Sequence, residues 1–377
     1  MTAKGLPVDL SALWTVFRAG DGQLVPVPGD QHQSTRSRVS HLFRIREIAW
    51  QAGVSEATVD RVLHDRPGVR DRMVRKVRQA IADLDRQQSD VPLEGRTFVL
   101  DIVLQAPEPF SSAVRGALDA ERSFLRPAVI SARFHPVPGD PVAGLTKILD
   151  RIARRGSAGV ILKAPDVPEI TAAVDRLAHE RIPVVTLATD LPRSQRVAYI
   201  GVDNRSAGAT AGYLMAHWLG NEPGDILVAL PVNFFRGEEE REMGFRSAIR
   251  SLSPHRSLID VTDPGVEGAL KDLVLRALRN DSGINAVYSV SANNVAIVEA
   301  FASTPRTLSA MVGHDLLDDN ARLLRDGRLS AVLYHDLHQD MRRAAHVILQ
   351  AHGALPGRIQ SHRASVQIAT PYNMPSR

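Results

Sequence analysis

The sequence predicts two parts of different class: an all-α helix-turn-helix head, then a larger α/β domain of two lobes with parallel sheets. Three observations carry this. Between Phe43 and Leu84 the apolar residues recur in three short helical phases, separated by glycine and proline. From Phe98 onward, short aliphatic runs alternate with stretches of helix length. These strand–helix units are too many for one compact sheet, so two similar lobes around a cleft are expected.

In the head, Ile45, Ile48, Ala49 and Ala52 share one helical face, and Gly53 follows where a residue free to take positive φ ends a helix. Ser55 is placed to N-cap a second helix, with Glu56 in its first turn near the positive end of the dipole. Val59, Val62 and Leu63 form that helix's apolar stripe. Pro67 and Gly68 break the chain, and Val74, Val77, Ile81 and Leu84 give a third helix its stripe. Two short helices joined by a tight turn and braced by a third form a helix-turn-helix. Any small three-helix bundle has similar periodicity, so the exact wording decides between them.

That wording is Ile45, Ile48, Ala49, Ala52, Gly53, Val54, Ser55, Thr58, Val59, Arg61, Val62 and Leu63, followed by Pro67 and Val69. It resembles the head of the lactose-repressor (LacI) family. The resemblance implies that the second helix enters the major groove of double-stranded operator DNA, with Ser55, Glu56, Ala57, Thr58, Arg61 and His64 at the interface. Arg61 matches the family's base-contacting arginine, a bidentate partner for guanine O6 and N7. Glu56 suits cytosine N4, and Ser55 and Thr58 suit phosphate oxygens. Two positions depart from the family. Asp60 stands where serine is usual, and its carboxylate repels DNA unless Arg44 or Arg61 neutralises it. Arg70 replaces a capping serine, which leaves Asp71 to serve the third helix.

Composition sets the frame. The chain has 377 residues, enough for two or three domains, and a formal net charge of +4. Residues 43–88 alone carry +3, and Arg36 and Arg38 extend the basic patch upstream, which suits phosphate neutralisation. With 0 cysteines, disulfide and thiolate chemistry are excluded. No apolar run approaches the ~20 residues of a membrane span, and no signal-peptide pattern is read, so a cytoplasmic protein without a membrane partner is expected. Residues 1–42 read as a flexible polar extension, and 89–97 as a linker. The hinge-helix pattern usual in the family is absent from that linker; Leu93 is its lone candidate for minor-groove insertion.

In the α/β part, 98–377, strands are expected at 98–105, 129–136, 159–165, 182–189, 197–203, 225–231, 257–261, 286–290, 309–315 and 330–336. Helices are expected at 110–125, 140–155, 168–179, 205–219, 238–251, 266–280, 293–302 and 318–326. Ligands in such sheets sit beyond the carboxyl ends of the strands. Those ends offer Gln105, Thr189, Asp190, Asn294, Asp315 and His335, residue types suited to a polyhydroxylated ligand, and Phe110, Phe234 and Phe235 offer apolar faces for ring C–H surfaces. Asp203 and Asn204 equally suit a simple helix cap.

The stretches IPVVTLATDL and YIGVDNRSAGATAG, Arg241–Phe245, Val312–Asp315 and the terminal IATPYNMP resemble the type I periplasmic-binding-protein fold, of the ribose-binding-protein kind. The resemblance implies three chain crossings between lobes, one lobe holding about 98–201 and 315–336, the other about 203–310 and 338–377. It also matches Asp315 to a sugar-hydroxyl aspartate, Arg241 to a sugar-binding arginine, and Asn293 or Asn294 to an asparagine position. His335 falls at a common glutamine position, and Glu108 and Phe110 match first-loop contacts.

No H-E-x-x-H, G-x-S-x-G, Walker A or G-x-G-x-x-G pattern is present, so no catalytic residue, metal or cofactor is expected. The expected function is a homodimeric LacI-type regulator, a repressor, whose hold on operator DNA is controlled by a sugar or polyol in the cleft. The rivals are a sugar-binding module for transport or chemotaxis, and an α/β sugar-processing enzyme.

Overall fold

The computed structural model describes residues 45–64, 66–89, 97–125, 128–137, 141–232, 235–291 and 293–375. The expected N-terminal extension, almost all of the linker with Leu93, and Phe234 lie outside these residues. The chain forms two compact units, divided between Leu84 and Asp85.

The described part of the first unit holds α1 (Ile45–Ala52), α2 (Glu56–Leu63) and most of α3 (Asp71–Ser89), whose last residues lie past the division. Ile48, Ala49, Ala52, Val59, Val77 and Ala80 form its core, with Ile45, Val54, Val62, Leu63 and Ile81 packed at the margin. Most of these are the apolar positions the helical phases select; Val54 and Ala80 join them, whereas the expected Val74 is not in the cluster. Gly53 has φ +62°, which lets the chain turn sharply between α1 and α2.

The second unit holds two six-stranded sheets. The first contains β1 (Thr97–Leu104), β2 (Val129–His135), β3 (Gly159–Lys163), β4 (Val184–Leu187), β5 (Ala198–Val202) and β11 (His362–Ala364), in the order β11-β5-β4-β3-β1-β2, all parallel. The second contains β6 (Asp225–Pro231), β7 (Leu258–Asp263), β8 (Ile284–Ser289), β9 (Ala310–His314), β10 (Ala331–Tyr334) and β12 (Gln367–Ala369), in the order β12-β10-β9-β8-β6-β7. Only β12 runs antiparallel to its neighbour. Both lobes therefore repeat one doubly wound order, 2-1-3-4-5, whose switch point lies between the first and third strands.

Helices cover both faces of each sheet. Those that position the site are α4 (Glu108–Glu121), α7 (Asn204–Leu219), α8 (Arg236–Leu252), α10 (Asn294–Ala302), α11 (Asp318–Arg325) and α12 (Leu337–Ala351), with α5 (Pro141–Arg155), α6 (Pro168–His179) and α9 (Ala269–Asn280) completing the layers. A side chain at Gly208 would place its Cβ 1.8 Å from the Arg241 carbonyl oxygen, and one at Gly244 would lie 2.0 Å from that of Arg205. Glycine at these two positions lets α7 and α8 meet backbone to backbone, which fixes Arg241 over the cleft.

The chain crosses between lobes after β5, after β10 and between β11 and β12, three times as expected. The expected lobe contents need correction. Residues 318–334 belong to the second lobe, because β10 pairs with β9 and Leu323 and Leu324 of α11 fill that lobe's core. Residues 337–364 belong to the first, because Met341, Ala344, Ala345 and Ile348 of α12 pack into its core and β11 pairs with β5. Only the last stretch, with β12, returns to the second lobe. Hydropathy marks these elements as buried but does not say which sheet buries them.

Candidate functional site

In the head, Ser55 caps α2: its Oγ accepts from Thr58 N–H at 3.3 Å and lies 2.9 Å from the Thr58 hydroxyl. The cap orients the first turn, where Glu56 and Ala57 are exposed. Arg61 is exposed one turn on and makes no ion pair among the described residues. Asp60 is paired within the head, among the described residues by Arg66 and His64 rather than Arg61; the other expected partner, Arg44, lies outside the described residues. Arg66 holds one of its oxygens at 2.9 Å and the His64 ring approaches the other at 3.1 Å. His64 Nδ1 also lies 2.8 Å from the Asp60 carbonyl, so this ring nitrogen is committed within the head. Asp71 stands in the first turn of α3, where its charge complements the helix dipole.

In the second unit, a cleft of about 470 Å³ opens between the lobes at both switch points. The first lobe contributes the residues after β1, β3 and β4: Gln105, Phe110, Lys163 and Thr189. The second contributes Asn204, Phe235, Glu238, Arg241, Asn294, His314, Asp315 and Asn320. Arg241 is buried at the centre of an ionic and amide network. Its Nε donates to Asn204 Oδ1 at 2.8 Å, and its NH1 lies 3.7 Å from Asp315 Oδ2. Asn204 Nδ2 donates in turn to the Ala188 carbonyl at 3.1 Å. Asn294 Nδ2 donates to Asn320 Oδ1 at 2.8 Å, while Asn320 Nδ2 donates to the His314 and Asp315 carbonyls at 2.9 and 2.8 Å. That clamp holds Asp315 at φ +65°, a conformation costly for a non-glycine residue.

Burial, reinforced by Arg241 and His335 nearby, pushes the His314 imidazole well below its usual range, which favours the neutral form; it shares a 2.9 Å hydrogen bond with the Tyr288 hydroxyl. Burial likewise pushes the Lys163 ammonium down to about 8, against the opposing pull of Glu238 and Asp315. Its Nζ donates to the Gln105 carbonyl at 3.3 Å and lies 3.4 Å from the centre of the Phe235 ring. Two buried acceptors on opposite walls, Gln105 Oε1 and Asn294 Oδ1, have no partner among the described residues.

Three consecutive residues at the start of α8 reach the first lobe. Phe235 meets Lys163, Arg236 lies 3.6 Å from Asp166, and Gly237 N–H donates to Thr189 Oγ1 at 3.1 Å.

Of the residues expected at the ligand, Gln105, Phe110, Thr189, Arg241, Asn294 and Asp315 line this cleft. Four do not. Glu108 is exposed and accepts from Ser112. Asp190 is taken up by Arg196, Thr186 and its neighbour's N–H. Asn293 caps α10, accepting from Ala296 N–H at 3.2 Å. His335 is buried against Asp340 and lines a separate cavity with Tyr334 and Leu337, where the chain crosses between lobes. Asp203 caps α7, accepting from Ser206 N–H at 2.9 Å. Sequence reasoning missed Lys163, Asn204, Glu238, His314 and Asn320. A polar residue at the end of an otherwise aliphatic run, as in GVILK, was the available signal for Lys163.

Among the described residues, no group of three or more His, Asp or Glu is placed to hold a metal ion, and no helix is long and apolar enough to cross a membrane.

Comparisons agree with this geometry. Residues 44–86 match the model of bacterial regulatory proteins of the lacI family, and residues 105–354 match that of a periplasmic binding protein domain. No curated protein matches the chain by sequence. Among solved structures, a putative LacI transcriptional regulator from Bacteroides fragilis is similar at 15% identity and TM-score 0.67, covering 74% of this chain and 98% of its own. GanP, a glucose-galactose binding protein from Geobacillus stearothermophilus, is similar at 18% identity and TM-score 0.64, covering 74% and 100%. An ABC transporter solute binding protein from Burkholderia graminis, in complex with D-arabinose, is similar at 19% identity and TM-score 0.64, covering 76% and 99%. At these identities the likeness is one of fold. The helix-turn-helix head and the two-lobed domain together make this chain a lacI-family bacterial regulatory protein whose sensor is a periplasmic binding protein domain.

Proposed function

We propose that the protein is a homodimeric repressor whose hold on operator DNA is set by a sugar or polyol bound between the lobes. The observation that carries the ligand class is the pair of buried, unpartnered acceptors, Gln105 Oε1 and Asn294 Oδ1, facing one cleft from two lobes. Hydroxyl groups are the donors that satisfy both without adding charge. Phe110 and Phe235 offer apolar faces for ring C–H surfaces, and Arg241 and Asp315 offer a donor and an acceptor at the floor. The glucose-galactose binding protein and the solute binding protein in complex with D-arabinose share this fold and favour the same class.

In the head, the exposed first turns of α2 present Glu56, Ala57 and Arg61 to base edges, with Ser55 and Thr58 towards phosphates. Two heads on a dimer read a near-palindromic site, since one head makes few base contacts. A ligand that binds the closed lobes better than the open ones shifts their equilibrium and with it the spacing of the heads.

The test combines a calorimetric screen of sugars and polyols on the full chain with gel-shift titration of an operator selected from random duplexes. Ligand binding accompanied by operator release supports the reading. Ligand binding that leaves the operator complex unchanged overturns it.

A further inference from the structure

We propose that the effector carries a carboxylate or phosphate group and that Lys163 is the residue that selects it. This deepens the sugar or polyol reading and rests on it.

The case starts from the charges that line the cleft. Glu238 accepts from Phe235 N–H at 3.1 Å, closing the cap of α8. Asp263 accepts from Gly265 and Asn293 N–H at 2.9 and 3.2 Å. Asp315 faces Arg241. Each carboxylate thus has a hydrogen-bond donor or a cation facing it. Lys163 has no counter-ion: among the described residues no carboxylate comes within 4.0 Å of its Nζ, which has one carbonyl and the face of Phe235, with Phe110 at 5.8 Å.

An ammonium taken out of water without a counter-ion is costly, and it persists where it has a task. With a pKa of about 8, the group is still mostly protonated at neutral pH. It stands at the end of β3, on the switch point of the first lobe, where ligands of doubly wound sheets bind. An acid group on the effector supplies the missing partner through a charge-assisted hydrogen bond. Glu238 and Asp315 act on the lysine from a distance and repel a second anion, so they confine the acid group to the Lys163 end. The hydroxylated body then spans Gln105 Oε1 and Asn294 Oδ1.

The experiment is isothermal titration calorimetry on the full chain with matched series: ribose, ribonate and ribose 5-phosphate; glucose, gluconate and glucose 6-phosphate; galactose, galactonate and galactose 6-phosphate. At least one acid member is expected to bind tenfold or more tighter than its neutral parent. Lys163→Met is expected to remove that advantage, so that the acid member loses at least tenfold more affinity than its neutral parent. Lys163→Arg retains part of it, and Lys163→Gln, with a melting curve beside each variant, guards against a folding defect. Preference for the aldonate or for the ester assigns the group as carboxylate or phosphate. A neutral parent that binds as tightly as its acids, or equal losses for parent and acid in Lys163→Met, overturns the selection by Lys163 while leaving a polyhydroxylated effector standing. Binding by no member of any series overturns both readings.

Discussion

The two lobes share one strand order, and just past their equivalent fourth strands each holds a non-glycine residue in the left-handed region: Ala188 at φ +62° after β4, and Asp315 at φ +65° after β9. Each turn is secured by an asparagine amide, Asn204 on the Ala188 carbonyl and Asn320 on that of Asp315. The side chains differ. Ala188 projects a methyl group, whereas Asp315 projects a carboxylate that Arg241 faces. The wall of the second lobe is thus an ionic and amide network that leaves one buried acceptor, Asn294 Oδ1, unpaired among the described residues. The wall of the first lobe is apolar apart from Thr189, an amide with a free acceptor and an ammonium without a counter-ion. One scaffold, repeated, supplies a half-site whose charges are paired within it and a half-site whose one cation has no counter-ion among the described residues.

The largest effect should come from breaking the support of the second wall. Gly244→Ala drives a methyl group into the α7 backbone and should cost about 3 kcal/mol, enough to lower the melting temperature by several degrees. Arg241→Ala removes the network's centre while the fold persists. Effector affinity should fall by about a hundredfold, roughly 3 kcal/mol, because Asn204 and Asp315 lose their shared partner; calorimetry reads this directly.

Arg61→Ala lies in the other unit and serves as the contrast. It should cost about 1–3 kcal/mol of discrimination between operator and mismatched duplex, with effector binding unchanged, as measured by fluorescence anisotropy.

On the first wall, Lys163→Met should raise the melting temperature at pH 7. The folded-state pKa of about 8 lies below the ordinary lysine value of 10.5, so the folded protein holds the proton less well than the unfolded chain. The resulting destabilisation is complete below pH 8 and fades as pH rises towards 10.5, so the two melting curves should converge in that range. The smallest change is Asn293→Ala, a lost cap worth about 1 kcal/mol in a melt, with no effect on effector affinity because Asn293 does not line the cleft.

Much of this was legible in the residues, for identifiable reasons. The α6 helix and the β6 strand occupy the expected positions 168–179 and 225–231, because proline or turn residues bracket a clean periodic run. The destination of β10 was not legible. Its buried face fits either sheet, and only pairing with β9 decides. Within the cleft, strand ends pointed to Gln105, Thr189, Asn294 and Asp315, while Asp190 has the same residue type but spends its oxygens on Arg196 and Thr186. Asn204 follows a helix-capping aspartate, so local chemistry explained the pair without a ligand. Its role appears only when α8 brings Arg241 against it, 37 residues along the chain.

The central claim couples occupancy of the cleft to the grip of α2 on DNA, and fluorescence anisotropy of a labelled operator, with the effector varied at fixed protein, measures that coupling directly. The account predicts a change of at least tenfold in half-saturation as the cleft fills, absent in Arg241→Ala at the same effector concentration. An operator affinity that stays constant while calorimetry shows the cleft saturated would contradict it.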